Sequence, residues 1–163
     1  MTQFRGQKMV DGKDQRPLVS LVMNFTKPTD TKPSLLTFNE VTTFLHEFGH
    51  ALHGMFSKCT YGSTSMDGVS RDFVELPSQF MENYALEKEW LDTWAVHYQT
   101  GEKIPQEYID KIKKSSNFQA GYASDRQLSF GMVDMAWHTI TEPVTEPLVD
   151  FEQRAIGKTE IMP

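Results

Sequence analysis

Apolar residues recur at helical spacing through much of the chain, and the clearest example lies between residues 38 and 57. They follow the i, i+3, i+4, i+7 pattern that is typical of one buried face of an amphipathic helix. The positions are Val41, Phe44, Leu45, Phe48, Leu52, Met55 and Phe56. Thr37 followed three residues later by Glu40 is a capping-box signature, which marks the start of a helix. The pattern therefore predicts a helix over residues 38–57.

Similar patterns predict further elements, most of them helical. Residues 17–25 are β-rich and bounded by proline, which favours a strand that pairs with an earlier segment around Gln3 to Val10. Helical spacing predicts further helices over residues 74–98, 105–115, 117–141 and 146–156. We therefore expect a mainly α-helical fold with a small β-sheet near the N-terminus.

The polar face of the first predicted helix carries His46, His50 and His53. At about 100° per residue, these side chains share one side of the helix, away from the apolar stripe. One interpretation is a solvated surface that happens to carry histidines. The other is the H-E-x-x-H motif, in which His46 and His50 hold one Zn²⁺ and Glu47 faces a water bound to the metal. Composition predicts only about 0.01 chance matches to this motif, which favours the metal site.

A catalytic zinc requires a third protein ligand and an open fourth position. The downstream candidates are Cys59, Asp67, Asp72, Glu75 and Glu82. Cys59 is disfavoured because a lone cysteine is more often a small buried residue than a ligand. Glu75 lies near the start of the second predicted helix and would reach the metal if that helix packed antiparallel to the first. Glutamates further along the same helix would then orient the imidazoles.

Two segments carry a resemblance to a known family: H-E-F-G-H-A-L-H at residues 46–53 and D-F-V-E-L-P-S-Q at residues 72–79. Together they resemble the catalytic core of the M3 family of zinc oligopeptidases and peptidyl-dipeptidases. The resemblance implies a helical zincin-type metallopeptidase core that hydrolyses peptide bonds in short peptides. It also implies one Zn²⁺ held by His46, His50 and Glu75, with Glu47 as the general base on a zinc-bound water.

The resemblance extends over nearly the whole chain, although members of the family are several times longer. The family's Gly-Tyr-rich loop, whose tyrosines bind substrate and stabilise the oxyanion, is expected to come after the end of this chain. Residues 118–122 (F-Q-A-G-Y) resemble it superficially but are expected to begin a helix. We therefore expect residues 1–163 to be a partial catalytic domain that lacks the N-terminal helical region and the C-terminal substrate loop. Such a piece is expected to hydrolyse peptides poorly and, with apolar helix faces uncovered, to self-associate.

Composition narrows the function classes. The net charge of −6 argues against a nucleic-acid surface, and the lack of any run near 18 apolar residues argues against a transmembrane helix. The single cysteine excludes an internal disulfide and favours a reducing compartment, so we expect a cytoplasmic location. His97 and His138 have no partner at ligand spacing and are expected to be surface or structural residues.

One alternative stays open, a non-catalytic helical interaction module that carries a structural zinc. A structural site is closed by four protein ligands. In this chain Cys59 or His53 would have to supply the fourth ligand. The number of protein donors around the metal therefore distinguishes the two hypotheses.

Overall fold

Residues 1–157 are described by a computed structural model, which divides the chain into two units, Met1–Ile109 and Asp110–Pro163. Within the described residues, helices predominate and four short strands lie near the N-terminus, so the predicted mainly α-helical fold is confirmed. None of the helices among these residues combines the length and the apolar character that a membrane crossing requires.

The predicted strand over residues 17–25 is confirmed only in part. β1 (Thr2–Arg5) pairs with β4 (Leu18–Ser20) in an antiparallel ladder, as expected for a partner near the start of the chain. The ladder ends at the pair Thr2 and Ser20. Residues 21–25 form no strand.

A hairpin between these two strands is an element that the hydrophobic pattern does not predict. β2 (Lys8–Val10) and β3 (Lys13–Gln15) pair antiparallel across a two-residue turn. Asp11 and Gly12 in that turn both have positive φ, 49° and 75°. Type I′ turns require this backbone at both central positions and favour Asp-Gly. The Asp-Gly dipeptide is therefore the feature of the sequence that predicts this hairpin.

The first predicted helix is present as α1 (Phe38–Phe56), and its capping box is formed. The Thr37 hydroxyl accepts a hydrogen bond from the Glu40 N–H (3.2 Å), and the Glu40 carboxylate accepts one from the Thr37 N–H (2.6 Å). The same carboxylate accepts bonds from the N–H and the hydroxyl of Thr26, at 2.6 and 2.8 Å. The bond from the Thr37 backbone, followed by those from Thr26, lowers the pKa of Glu40 from 4.5 to about 2.

The apolar stripe of α1 is only partly buried within the described residues. Leu45 is 2% exposed, whereas Phe44 is 39% and Phe56 is 76% exposed. A neighbouring segment approaches α1 closely at Gly49, on the side of the helix that carries the histidines. The side predicted to face away from the core is therefore also packed against another segment.

The single helix predicted over residues 74–98 is wrong. This segment forms α2 (Leu76–Glu82), a 3-10 turn (Asn83–Leu86) and α3 (Lys88–Leu91). Glu87 has φ −87° and ψ 115°, an extended conformation that separates the 3-10 turn from α3. The chain therefore changes direction where an uninterrupted helix was predicted.

Aromatic packing explains this break. The ring centroids of Tyr84 and Trp90 lie 6.4 Å apart, and those of Trp90 and Trp94 lie 4.9 Å apart. On a continuous helix, residues six positions apart point in different directions, so Tyr84 and Trp90 could not meet. A tertiary contact thus overrides the local helical preference of the segment.

The remaining predicted helices are present with shifted ends. They are α4 (Gln106–Ser116), α5 (Ala120–His138) and α6 (Leu148–Ile156). Gln119 precedes α5 with a φ of 56°. The helix start predicted within residues 118–122 is therefore confirmed.

α5 and α6 pack against each other inside the second unit. The rings of Trp137 on α5 and Phe151 on α6 have centroids 4.2 Å apart, and Phe151 is 5% exposed. Other apolar side chains of α5 are open to solvent, with Leu128 and Met135 each 59% exposed. This unit therefore leaves apolar surface uncovered among the described residues.

Candidate metal centre

The two histidines of the H-E-x-x-H motif and one downstream glutamate converge at a single point. Glu75 Oε2 lies 3.2 Å from Nε2 of His46 and 3.1 Å from Nε2 of His50. The two imidazole rings are nearly perpendicular, with centroids 4.9 Å apart. One ligand-type atom from each of the three residues lies within 4.8 Å of the others. The structure therefore brings together the three residues that the resemblance implies as ligands.

Helical geometry positions the two imidazoles, because residues four apart on α1 lie on one face. Glu75 is positioned differently, as the residue that directly precedes the first turn of α2. It reaches the imidazoles because α1 has no side chain at Gly49. A Cβ at residue 49 would lie 2.5 Å from the Pro77 carbonyl oxygen and 2.6 Å from the Ser78 Cα. Glycine at this position therefore permits the backbone approach that delivers the carboxylate.

Ser78 holds the Glu75 carboxylate in place. Its side chain is fully buried, and its hydroxyl lies 2.7 Å from Glu75 Oε2 and 2.9 Å from the Glu75 carbonyl oxygen. The hydrogen bond from Ser78, helped by the nearby His50 and His46, lowers the pKa of Glu75. The carboxylate is therefore favoured in its ionised form, which is the form that binds a metal.

A second glutamate approaches His46 from the other side of the ring. Oε1 of Glu82, the last residue of α2, lies 2.6 Å from His46 Nδ1. The two nitrogens of His46 therefore face two different carboxylates, Glu75 at Nε2 and Glu82 at Nδ1.

Glu47, the predicted general base, is partly buried beside the two imidazoles. Its carboxylate contacts the amino group of Met1. This hydrogen bond is the largest cause that lowers the pKa of Glu47, and His50 and His46 add to it through their charge. The lowered pKa of Glu47 therefore depends mainly on a free amino group at Met1.

The other candidates from the sequence lie outside this cluster. His53 packs edge-on against Phe73, with ring centroids 6.0 Å apart, and burial lowers its pKa. The Cys59 thiol donates to the Thr64 carbonyl oxygen at 3.3 Å. Neither residue joins the three-residue group, nor do Asp67 and Asp72. No other group of this type occurs among residues 1–157. The fourth protein ligand required by a structural zinc is therefore missing from the group.

The two remaining histidines contact backbone groups of residues close to them in the sequence. His97 Nδ1 accepts a hydrogen bond from the Thr100 N–H at 3.2 Å. His138 is exposed, and its Nδ1 lies 2.7 Å from the Asp134 carbonyl oxygen. Both contacts agree with the expectation of surface or structural residues.

The donor set fits a zinc ion. Two imidazole nitrogens and one carboxylate oxygen are the ligands of many catalytic zinc sites, with bonds of about 2.0–2.2 Å. Tetrahedral bonds of that length place neighbouring ligand atoms about 3.3 Å apart. The separations between Glu75 and the two imidazoles, 3.2 and 3.1 Å, are close to this value. His46, His50 and Glu75 would thus supply three of the four ligands of a tetrahedral zinc.

Sequence reasoning missed two contributors, Gly49 and Ser78. Gly49 stands between the two histidines inside a helix, where glycine costs about 1 kcal/mol relative to alanine. That cost indicates that the position needs a residue without a side chain. The signal for Ser78 was its position three residues after Glu75, which brings the two onto one side of the same helical segment.

Comparison with known sequences places these residues in context. The sequence profile of Peptidase family M3 matches residues 1–158. The chain is 44% identical over 137 residues to oligopeptidase A of Escherichia coli (strain K12), an alignment that covers 83% of this chain and 20% of that protein. It is 40% identical over 145 residues to the dipeptidyl carboxypeptidase of Salmonella typhimurium, which covers 88% of this chain and 21% of that protein.

A plant relative shows the same relation of lengths. The probable cytosolic oligopeptidase A of Arabidopsis thaliana is 43% identical over 149 residues, covering 90% of this chain and 21% of that protein. The chain thus spans about a fifth of the length of the curated relatives that it matches.

Proposed function

The chain belongs to peptidase family M3, and on this basis we propose that it supplies the metal centre of a zinc-dependent peptidase acting on short peptides. The observation that carries the proposal is the convergence of His46, His50 and Glu75, with ligand-type atoms within 4.8 Å of one another. The names of the relatives, oligopeptidase A and dipeptidyl carboxypeptidase, support peptides as the substrate class.

His46, His50 and Glu75 would hold one Zn²⁺ through Nε2, Nε2 and Oε2. A zinc ion bound there supplies a Lewis acid, which lowers the pKa of a water molecule and polarises the carbonyl group of the peptide bond. The contribution of the chain is to fix three donors and to keep the carboxylate ionised, which Ser78 does through its 2.7 Å hydrogen bond.

Glu47 is the proposed general base. Its position directly after His46 on α1 places a carboxylate next to the proposed metal ligands, where it can accept a proton from the attacking water. The same carboxylate then donates that proton to the leaving amine. Neither an amide nor a methyl group can perform this transfer, so the role is specific to an acidic side chain.

We further propose that residues 1–163 are part of a longer catalytic domain, since the relatives are about five times longer than the aligned region. Groups that bind the peptide and stabilise the oxyanion would then come from outside this segment. A cytoplasmic location is also proposed. It is supported by the single cysteine and by the name of the probable cytosolic relative from Arabidopsis thaliana.

Zinc titration of the 163-residue chain tests the proposed centre. We expect about one zinc per chain, and we expect His46→Ala, His50→Ala and Glu75→Ala each to weaken binding by more than about 100-fold, since each removes a ligand. His138→Ala is the matched control, because it removes an exposed imidazole outside the cluster. Equal zinc affinity in the wild type and all three ligand variants would show that the assigned centre is wrong.

A further inference from the structure

Glu82 makes a contact that the proposed reaction does not itself require. Its Oε1 lies 2.6 Å from His46 Nδ1, and both side chains are partly buried, with 36% and 27% exposed. The other ring nitrogen of His46, Nε2, faces Glu75 at 3.2 Å. We propose that Glu82 is a positioning residue that orients the ring of His46 for zinc binding. This inference rests on the proposed zinc centre.

The contact suits the zinc-bound form of His46. With Nε2 bound to the metal, a neutral imidazole carries its one proton at Nδ1. The Glu82 oxygen lies 2.6 Å from Nδ1, a distance at which it can accept a hydrogen bond from that N–H. Glu82 would thus hold the ring in the orientation that presents Nε2 to the site reached by Glu75 Oε2.

The position of Glu82 on α2 makes this possible. Glu75, Ser78 and Glu82 occur at i, i+3 and i+7, so they lie along one side of the same helical segment. The close approach at Gly49 presses that side against α1. The segment that delivers the proposed ligand Glu75 therefore also delivers the group that orients His46.

Glu82 is not itself a fourth ligand. It lies at Nδ1, whereas the convergence point lies at Nε2 on the other side of the ring, and Glu82 is outside the group of mutually close donors. No comparable carboxylate contacts Nδ1 of His50 in the part of the chain that the structure describes. The effect of Glu82 should therefore be specific to one of the two imidazoles.

Partners of metal-bound histidines commonly change metal affinity by 10–100-fold when they are removed. Glu82→Ala removes both the charge and the acceptor, and we expect it to weaken zinc binding by about that factor. Glu82→Gln keeps an amide oxygen that can accept from Nδ1, so we expect a smaller loss. Exposed Glu89 on α3 provides the matched controls Glu89→Ala and Glu89→Gln, which should bind zinc like the wild type.

The experiment combines two measurements on the 163-residue chain. Zinc affinity is measured by competition with a chromophoric chelator, and the ring N–H signals of His46 and His50 are measured in ¹H–¹⁵N spectra of the zinc-loaded chain. In the wild type we expect a downfield-shifted, slowly exchanging Nδ1–H at His46, because Glu82 accepts a short hydrogen bond from it. In Glu82→Ala we expect this signal to move upfield and to exchange faster at His46 and to be unchanged at His50, together with the weaker zinc binding.

The outcomes separate this inference from the proposed function. If Glu82→Ala binds zinc within about twofold of the wild type and leaves the Nδ1–H signal of His46 unchanged, the role of Glu82 is refuted while the zinc centre stands. If His46→Ala also binds zinc normally, the centre itself is wrong. Should Glu82→Ala lose its helical circular dichroism, the decision passes to Glu82→Gln, in which an unchanged affinity and an unchanged Nδ1–H signal would again refute the role.

Discussion

Gly49 of α1 and Pro77 of α2 are in backbone contact, and the Pro77 carbonyl oxygen already occupies the space that a Cβ on residue 49 would need. This contact sets the distance between the helix that carries the two imidazoles and the segment that carries Glu75. The geometry of the candidate centre therefore depends on a residue that has no functional group.

Replacement of Gly49 by alanine should both destabilise the chain and weaken the centre. We expect a loss of about 1–3 kcal/mol in the free energy of unfolding, because the added methyl group overpacks a backbone contact. Zinc affinity should fall in parallel as Glu75 moves away from the imidazoles. Denaturant unfolding and zinc titration measure the two effects.

Gly131 provides the control for that substitution. It lies inside α5, and a Cβ there would meet no atom within 4 Å. Gly131→Ala should therefore stabilise the chain by up to about 1 kcal/mol, through helix propensity alone. A Gly49→Ala variant that gained stability like Gly131→Ala would disprove the close-approach argument.

Acid should remove the contribution of the capping carboxylate of α1. The pKa of Glu40 is about 2 in the folded chain and 4.5 as the unperturbed value. A folded pKa below the unfolded one stabilises the protein fully above the unfolded pKa, and the effect is lost as the pH falls toward the folded pKa. The melting temperature of the wild type should therefore exceed that of Glu40→Gln near neutral pH, and the difference should vanish between about pH 4.5 and pH 2.

A Glu89→Gln variant controls for the general loss of an acidic charge, because Glu89 is exposed. Its melting temperature should follow that of the wild type across the same pH range. A Glu40→Gln difference that stayed constant down to pH 2 would contradict the lowered pKa of Glu40.

Replacement of Glu47 by glutamine should separate catalysis from metal binding. In the full-length protein that contains these residues, we expect zinc content to be unchanged and turnover of a quenched fluorescent peptide to fall by about 10²-fold or more. The reason is that the amide cannot accept the proton of the attacking water. Unaltered turnover would exclude Glu47 as the base, and loss of zinc would assign it a structural role.

The 163-residue chain on its own should bind zinc but hydrolyse peptides very slowly. Loss of a single oxyanion donor costs about 10²–10³ in rate in a protease, and loss of the groups that position the peptide adds to this. The test compares kcat/KM of the chain and of the full-length protein at equal zinc occupancy. Comparable values would mean that the residues of this chain supply the oxyanion donor.

Residues close together in the sequence predict α1 and the side of the helix on which its two imidazoles lie. The capping box at Thr37 and Glu40 marks one end of the helix within a few residues, and the i, i+4 spacing of His46 and His50 needs only a helix to bring the imidazoles together. The Asp11-Gly12 turn is equally local, but its signal lies in the positive φ that the turn requires and is absent from the apolar pattern.

Contacts between distant segments could not be predicted in the same way. The break at Glu87 depends on the meeting of Tyr84 and Trp90, and no glycine or proline marks it. The reach of Glu75 depends on the separation of two helix axes, which Gly49 sets. The resemblance to a family implied Glu75, whereas spacing alone left five candidates open.

The shortness of α2 has a consequence for folding. The helix has seven residues, fewer than the roughly 12–15 that an isolated helix needs to be stable in water. Its order must therefore come from packing against α1 and from the groups that meet at the centre. A metal that binds there would tie the two ends of this segment to α1, through Glu75 before the helix and through Glu82 and His46 at its last residue. Metal uptake and the folding of α2 would then be one linked equilibrium, in which zinc slows amide hydrogen exchange in this helix more than elsewhere in the chain.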